Sequence, residues 1–216
     1  MMAPVVYDRL ADSYDAHFTR PVDQWEDARL ARLLAPLVNG RAVLDLGCGT
    51  GWVLDHLRPA SYTGVDSSPA MLAELLRKHR QALTVKASIG EPGWQLAVPG
   101  WGYQVITATW SLQYLGDLAE LLAACAGLAP AGVLALHGYL PRYQRRSHAI
   151  SRPPSRLPGP AAVRAATASS GLLMPRVAGT GALPDALAHW KPLWQLALAV
   201  PARYHYAALW TWQVPP

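Results

Sequence analysis

Apolar residues in this chain fall into two alternating patterns. Short continuous runs, such as 42–46 and 62–65, are separated by longer stretches in which apolar positions return every three or four residues. The first pattern reads as a strand buried on both faces, the second as an amphipathic helix. This predicts strands at 42–46, 62–66, 83–87, 103–109 and 132–136, and helices at 21–38, 52–57, 70–80 and 117–128. Trp25, Ala28, Leu30, Leu33, Leu34 and Leu37 give helix 21–38 its apolar positions; Asn39-Gly40 ends it, and Pro59 stops helix 52–57. Ser67 or Ser68 caps helix 70–80. Strand and helix alternate as β-α-β-α from 42 to 80, a unit that implies a parallel sheet.

The two ends of the chain are patterned differently. Residues 5–18 read as one helical segment that puts Tyr7 and Tyr14, seven apart, on one face. Residues 141–160 carry Arg142, Arg145, Arg146, Arg152 and Arg156 among five prolines, the composition of an extended connection. A helix at 161–170, a sixth strand at 172–177 interrupted by Pro175, and an apolar helical insertion at 184–201 with Trp190 and Trp194 on one face follow. A last strand at 203–214 aligns Tyr204, Tyr206, Trp210 and Trp212 by its period of two.

Composition narrows the class. A length of 216 residues with 51% apolar content suits one domain with a full core. Cys48 and Cys125 provide neither a disulfide framework nor metal-ligand spacing, and a cytoplasmic home is expected. The N-terminus meets charge by Asp8, unlike a signal peptide, and no run approaches the ~18 apolar residues of a membrane span. The net charge of +5 is uneven: residues 1–120 hold 10 basic and 13 acidic side chains, residues 121–216 hold 9 and 1. The basic half is either a face for an anionic or nucleic-acid partner or an Arg-rich solvated surface.

Chemistry concentrates where strand 42–46 stops. Gly47, Gly49 and Gly51 follow it at alternate positions, and in open α/β sheets ligands bind at the carboxyl ends of strands. A dinucleotide fingerprint needs Gly-x-Gly-x-x-Gly, but Trp52 stands where its last glycine belongs, which disfavours NAD. No Gly-Lys-Ser/Thr marks a P-loop. What is left is bare backbone brought close to a ligand, with Asp66 at the end of the next strand able to accept both hydroxyls of a ribose.

The run Val-Leu-Asp-Leu-Gly-Cys-Gly-Thr-Gly at 43–51, followed by Val-Asp-Ser-Ser-Pro-Ala-Met at 65–71, closely resembles the class I S-adenosylmethionine-dependent methyltransferases. The resemblance is strong over 41–80 and extends from about Tyr7 to Tyr139. It implies an α/β fold, a Rossmann-like three-layer sandwich whose mostly parallel seven-stranded sheet has helices on both faces. It also implies one domain over 1–216: a helical lid and cover at 1–38, a cofactor-binding core at 41–140 and a substrate-side part at 141–216. The cofactor is then S-adenosyl-L-methionine and the product S-adenosyl-L-homocysteine. Asp45 and the turn residues Gly47, Cys48, Gly49, Thr50 and Gly51 would hold the methionine end, Asp66 the ribose, and Ser67 and Met71 the adenine. The acid that commonly follows the third strand is missing; either Ser88 and Ile89 contact the ring or Glu91 reaches back.

The stretch 109–115 resembles the family segment that passes the transferred methyl. Thr109 and Trp110 would lie beside the cofactor, with Trp110, Gln113 and Tyr114 at the junction of donor and acceptor and Tyr139 on the substrate side; the alternative is that Trp110 and Tyr114 are core aromatics. It lacks the Asn/Asp-Pro-Pro-Tyr/Phe of enzymes that methylate base amines in DNA, which argues against that substrate. The Tyr-Asp-x-x-Ala-x-x-Tyr-Asp pattern at 7–15 resembles the lid of small-molecule methyltransferases. The faces of Tyr7 and Tyr14 would stabilise a sulfonium by about 1 kcal/mol or more, unless they only staple the segment down. Tyr14 and His137 are the catalytic candidates, His137 as general base because its ordinary pKa suits proton removal near neutrality, with a structural role as the alternative. His17 and His148 are weaker rivals.

The expected function is methyl transfer to oxygen or nitrogen of a small metabolite by a monomer or homodimer, without metal or membrane. The alternatives are RNA methylation gripped by the 142–156 arginines and a non-methylating cofactor-binding partner protein.

Overall fold

The computed structural model describes residues 3–100, 102–111, 116–139, 160–181 and 207–215. Its first half follows the apolar patterning closely. Helix α2 (Pro21–Val38) begins where Pro21 needs no N–H donor and where the Asp23 carboxylate accepts from the Arg20 backbone amide at 3.1 Å. Strand β1 (Ala42–Leu46), helix α3 (Trp52–His56), strand β2 (Ser61–Asp66), helix α4 (Pro69–Lys78) and strand β3 (Leu83–Lys86) come next. Ser68 caps α4, its hydroxyl accepting from Met71 N. Strand β4 (Val105–Ala108), helix α5 (Leu118–Leu128), strand β5 (Val133–Tyr139), helix α6 (Pro160–Ser169) and strands β6 (Arg176–Gly181) and β7 (Ala207–Gln213) complete the described chain.

The seven strands lie in the order β3-β2-β1-β4-β5-β7-β6. β1 to β5 are mutually parallel, and β7 runs antiparallel to both β5 and β6. Because side chains alternate, Val43, Val105, Ala135 and Leu209 join α2 through Leu30, Leu34 and Val38 on one face. Leu44, Ile106, Leu134, Trp210 and Trp212 meet α5 and α6 on the other. Trp210 and Trp212 are core aromatics, and the Trp212 indole donates to Thr167 Oγ1 at 2.9 Å.

Several elements differ from the expected ones. The 5–18 segment splits into α1 (Ala3–Leu10) and a 3₁₀ turn (Tyr14–Phe18), where Ser13 turns its hydroxyl back to Leu10 O. β5 does not end at Leu136, since antiparallel pairing with β7 carries it to Tyr139 and places His137 inside the strand. The sixth strand starts after Pro175, which has no N–H for a ladder, and runs through the glycines to Gly181 with a bulge. Buried acids on α2, Asp23 and Glu26, occupy positions where only apolar residues were expected to face inward. Tyr204, Tyr206, the Arg142–Arg156 stretch and the 184–201 insertion lie outside the described residues.

The face of the sheet under α2 carries a polar layer. Asp45 is fully buried, one carboxylate oxygen accepting from Thr107 Oγ1 at 2.8 Å and the other from the Tyr62 hydroxyl at 2.9 Å. Burial pushes its carboxyl up to about 7, against the pull of those two hydrogen bonds. His137, two residues beyond Ala135 on the same face, is equally buried, and burial pushes its imidazole down to about 3.

These shifts oppose each other. Stability that rests on neutral Asp45 is complete below the ordinary carboxyl value of 3.8 and is lost as pH rises toward 7. Stability that rests on neutral His137 is complete above 6.5 and is lost as pH falls toward 3. Asp45→Asn is therefore expected to tilt the pH dependence of unfolding free energy upward, by up to about 1.4 kcal/mol per pH unit across pH 4–7, in urea titrations. A slope equal to that of the unsubstituted protein would contradict a neutral buried carboxyl.

Candidate functional site

The strand order reverses between β1 and β4: β2 and β3 continue to one side of β1, β4 and β5 to the other. Loops leaving the carboxyl ends of β1 and β4 therefore diverge and open a crevice, the place where such sheets bind ligands. The glycine turn leaves β1 at this point. Gly47 and Cys48 donate their amides to Val65 O at 2.8 and 3.1 Å, which folds the turn over the end of β2. β2 accommodates it with Gly64, where a Cβ would meet Cys48 Sγ at 2.8 Å. Gly49 has a φ of +52° with open space where a Cβ would stand, so backbone conformation sets the residue and leaves its face clear.

Asp66 ends β2 beside that turn. Its two carboxylate oxygens accept from Gly49 N and Ser68 N, each at 2.9 Å, so one side chain ties the glycine turn to the start of α4. Burial raises its pKa, while the amides of Ser68, Gly49 and Ser67 draw it back. A carboxylate aimed by backbone amides keeps a further lone pair on each oxygen, the arrangement a ribose diol needs. Ser67 is partly buried beside it. β3 ends next to β2, with Ala87 N donating to Asp66 O at 3.1 Å, so Ser88 and Ile89 come to the same edge. Ile89 packs on the core, and Glu91 is exposed. Met71 is buried in the first turn of α4.

Asp45 lies beneath the turn, enclosed by Thr107 and Tyr62, with no surface on the crevice. It props the floor of the site. Thr50 is also buried, and its hydroxyl donates to Asp15 Oδ1 at 2.6 Å. That contact belongs to the N-terminal segment, which docks on the turn and on α4. Asp15 accepts from Lys78 Nζ at 2.9 Å, and Asp8 accepts from the Ser68 hydroxyl. Tyr7 and Tyr14 meet edge-on at 6.0 Å, and Tyr14 lies 5.1 Å from Phe18. The N-terminal segment thus carries an aromatic cluster, and it is fastened by the acids that follow the two tyrosines. The repeated Tyr-Asp pair was the signal in the sequence that these acids share a task.

On the β4 side, the Ser111 hydroxyl donates to Leu46 O at 2.8 Å and joins the ends of β4 and β1. Thr109 is buried, and Trp110 adopts a left-handed φ of 57°. Its ring meets His137 edge-on at 4.2 Å. His137 Nε2 is paired with Thr180 Oγ1 at 2.7 Å. The general-base assignment fails on this environment: an imidazole sealed in the sheet, with its pKa near 3, takes a proton poorly at neutrality. His17 is exposed in the lid with Nδ1 2.9 Å from Ser13 O. Gln113, Tyr114 and the Tyr139 side chain fall outside the described residues.

Asp27 on α2 was missed. Its Oδ1 accepts from the Trp52 indole at 2.8 Å, and burial raises its pKa. Periodicity marked α2 only as a cover, so nothing in the pattern singled out an acid facing inward. Among the described residues no group of His, Cys, Asp and Glu is placed to hold a metal, and no helix is long and apolar enough to cross a membrane.

Known proteins share this arrangement. A family model described as a methyltransferase domain matches residues 16–198. Trans-aconitate 2-methyltransferase of Escherichia coli O6:K15:H31 (strain 536 / UPEC) is 43% identical over 112 residues, which make up 50% of this chain and 42% of that protein. The match thus spans less than half of that relative's length. Trans-aconitate 2-methyltransferase of Azoarcus sp. (strain BH72) is 37% identical over 183 residues, 79% of this chain and 67% of the relative. A putative methyltransferase of Haloferax volcanii, solved in complex with the Trm112 methyltransferase activator, has the same fold, with a TM-score of 0.69 at 20% identity over 97% of this chain and 98% of that one. The glycine turn, the acid at the end of β2 and the seven-stranded order therefore belong to a member of the methyltransferase-domain family, with the class I fold and S-adenosylmethionine as methyl donor.

Proposed function

We propose that this methyltransferase esterifies a carboxylate of a small organic acid. The observation that carries the reading is the sealing of His137: its imidazole is fully buried and held at a pKa near 3. A carboxylate acceptor needs no base, because with an ordinary pKa near ~4 it arrives ionised at neutral pH. The two trans-aconitate 2-methyltransferases, named for an organic acid, support the same substrate class.

The donor supplies an electrophilic methyl on a sulfonium: as the acceptor oxygen bonds to that carbon, the carbon–sulfur pair returns to sulfur and a neutral thioether leaves. The chain's own residues do the rest. Asp66, with Ser67 nearby, holds the ribose; Ser88 and Ile89 flank the adenine; and the glycine turn seats the methionine end, propped from below by Asp45. Tyr7 and Tyr14 would face the sulfonium, on a segment that the Asp15 contacts with Thr50 and Lys78 hold against the turn and α4. Excluding water favours a transition state in which opposite charges cancel, and alignment supplies most of the rate.

Methyl-labelled S-adenosylmethionine, incubated with the protein, trans-aconitate and a cell extract, is expected to place label in small acids in a form released by mild alkali, as esters are. Label stable to alkali, or label in RNA, would contradict the carboxylate reading. Replacing Asp66 by alanine is expected to weaken S-adenosylhomocysteine binding by about 1–3 kcal/mol, the scale of a lost hydrogen bond to a charged group. Equal affinity by calorimetry would refute the ribose contact.

A further inference from the structure

Helix α2 lies back along the sheet. Its last residue, Val38, leads into the start of β1 at Ala42, while Asp27, about three turns earlier, meets Trp52 beyond the end of that strand. The N-terminal half of α2 therefore stands at the carboxyl ends of the strands, where the crevice opens. Arg29 belongs to that half, and its Nε–H donates to Gly179 O on β6 at 2.9 Å.

Register fixes the level of that contact. Gly179 lies opposite Ala208, and Ala208 opposite Gly138, the residue before the end of β5. β4 and β5 pair Ala108 with Leu136, so Gly138 is level with the turn that carries Trp110. Arg29 and Trp110 thus meet the same end of the sheet at β6 and β4, three strand spacings or roughly 14 Å apart at the backbone. Helical side chains lean toward the helix N-terminus, and the Arg29 guanidinium carbon lies 5.9 Å from the centre of the Trp25 ring, one turn nearer the ligand edge.

The charge of Arg29 is not balanced where it stands. Arg20 pairs with Asp23, Arg77 with Glu74, and Lys78 with Asp15 and Asp55. Arg29 pairs with no carboxylate among the described residues; it is met by a carbonyl and an indole face. Burial and the nearby Arg32 both work against its charge. A half-buried cation in such a place is stabilised by an anion that arrives with the ligand. After the bond to Gly179, four N–H donors remain on its two Nη atoms, the fork that takes a carboxylate through parallel hydrogen bonds.

We propose that Arg29 is a specificity-determining residue that binds a second carboxylate of the acceptor, a di- or tricarboxylic acid, while another carboxylate of the same molecule takes the methyl beside Trp110. The assignment rests on the carboxylate reading above. The carboxylate on Arg29 stays ionised and takes no part in the bond changes. Its grip sets which acids are accepted and which of their oxygens reaches the donor.

Succinate, fumarate and trans-aconitate, each against a monomethyl ester of the same acid, serve as probes. They are titrated by calorimetry into the full chain saturated with S-adenosylhomocysteine. The unsubstituted protein is expected to bind at least one of the acids about 10-fold or more tightly than its ester. Arg29→Gln is expected to erase that preference, weakening the acid by about 10- to 100-fold, with the affinity for S-adenosylhomocysteine kept within about threefold. Arg29→Lys, which keeps the charge and loses the fork, is expected to fall between the two and carries the test if the glutamine variant does not fold. An arginine that only ties α2 to β6 would lower the melting temperature of the variants and leave the preference intact. That result overturns the proposal, as does an unsubstituted protein that binds none of the acids or binds acid and ester alike. Alkali-labile label in monocarboxylic acids alone upholds the carboxylate reading and overturns the Arg29 assignment. Arg29-dependent binding of an acid that takes up no methyl from S-adenosylmethionine upholds the Arg29 site and counts against transfer to a carboxylate.

Discussion

One carboxylate organises the ligand end of this fold. Asp66 accepts from Gly49 N and from Ser68 N, so the turn after β1 and the first turn of α4 hold their shape by reference to the same two oxygens. The turn can approach Asp66 because its residues adopt left-handed backbone and because Gly64 leaves room for Cys48 on β2. Remove either condition and the amides no longer converge. The proposed nucleoside site is thus largely backbone, with a single acid that its own hydrogen bonds to Gly49 and Ser68 hold in place.

The floor beneath that site is polar and buried. Asp45, Thr107 and Tyr62 satisfy one another inside the sheet, and His137 leans on Thr180 and Trp110. Burial pushes the acid up and the imidazole down, and both shifts favour neutral forms. Acids also stand at the rim, where Asp8 and Asp15 tie down the N-terminal segment and Asp27 receives an indole.

Much of this was legible in the residues. The run 43–51 and the acid at 66 carry their meaning locally, since strand, turn and carboxylate depend on neighbours in sequence, and the bounds of α2 were read to the residue. The C-terminal strands were harder. β6 contains two glycines and follows a proline, so its identity comes from pairing with β7 about thirty residues away, a long-range contact that no local period reveals. The same pairing lengthened β5 and turned His137 from a strand-end candidate into an interior residue. Asp27 was invisible for a related reason: an acid in a helix reads as solvent-facing until the partner that faces it, Trp52, is known.

The central claim is that the backbone at 47–51 and Asp66 together seat a sulfonium nucleoside. A crystal structure of the chain with S-adenosylhomocysteine tests it most directly. The account predicts both ribose hydroxyls within hydrogen-bond distance of Asp66 and the sulfur facing the gap between the glycine turn and Trp110. A nucleoside bound elsewhere, or a ribose turned away from Asp66, would contradict it.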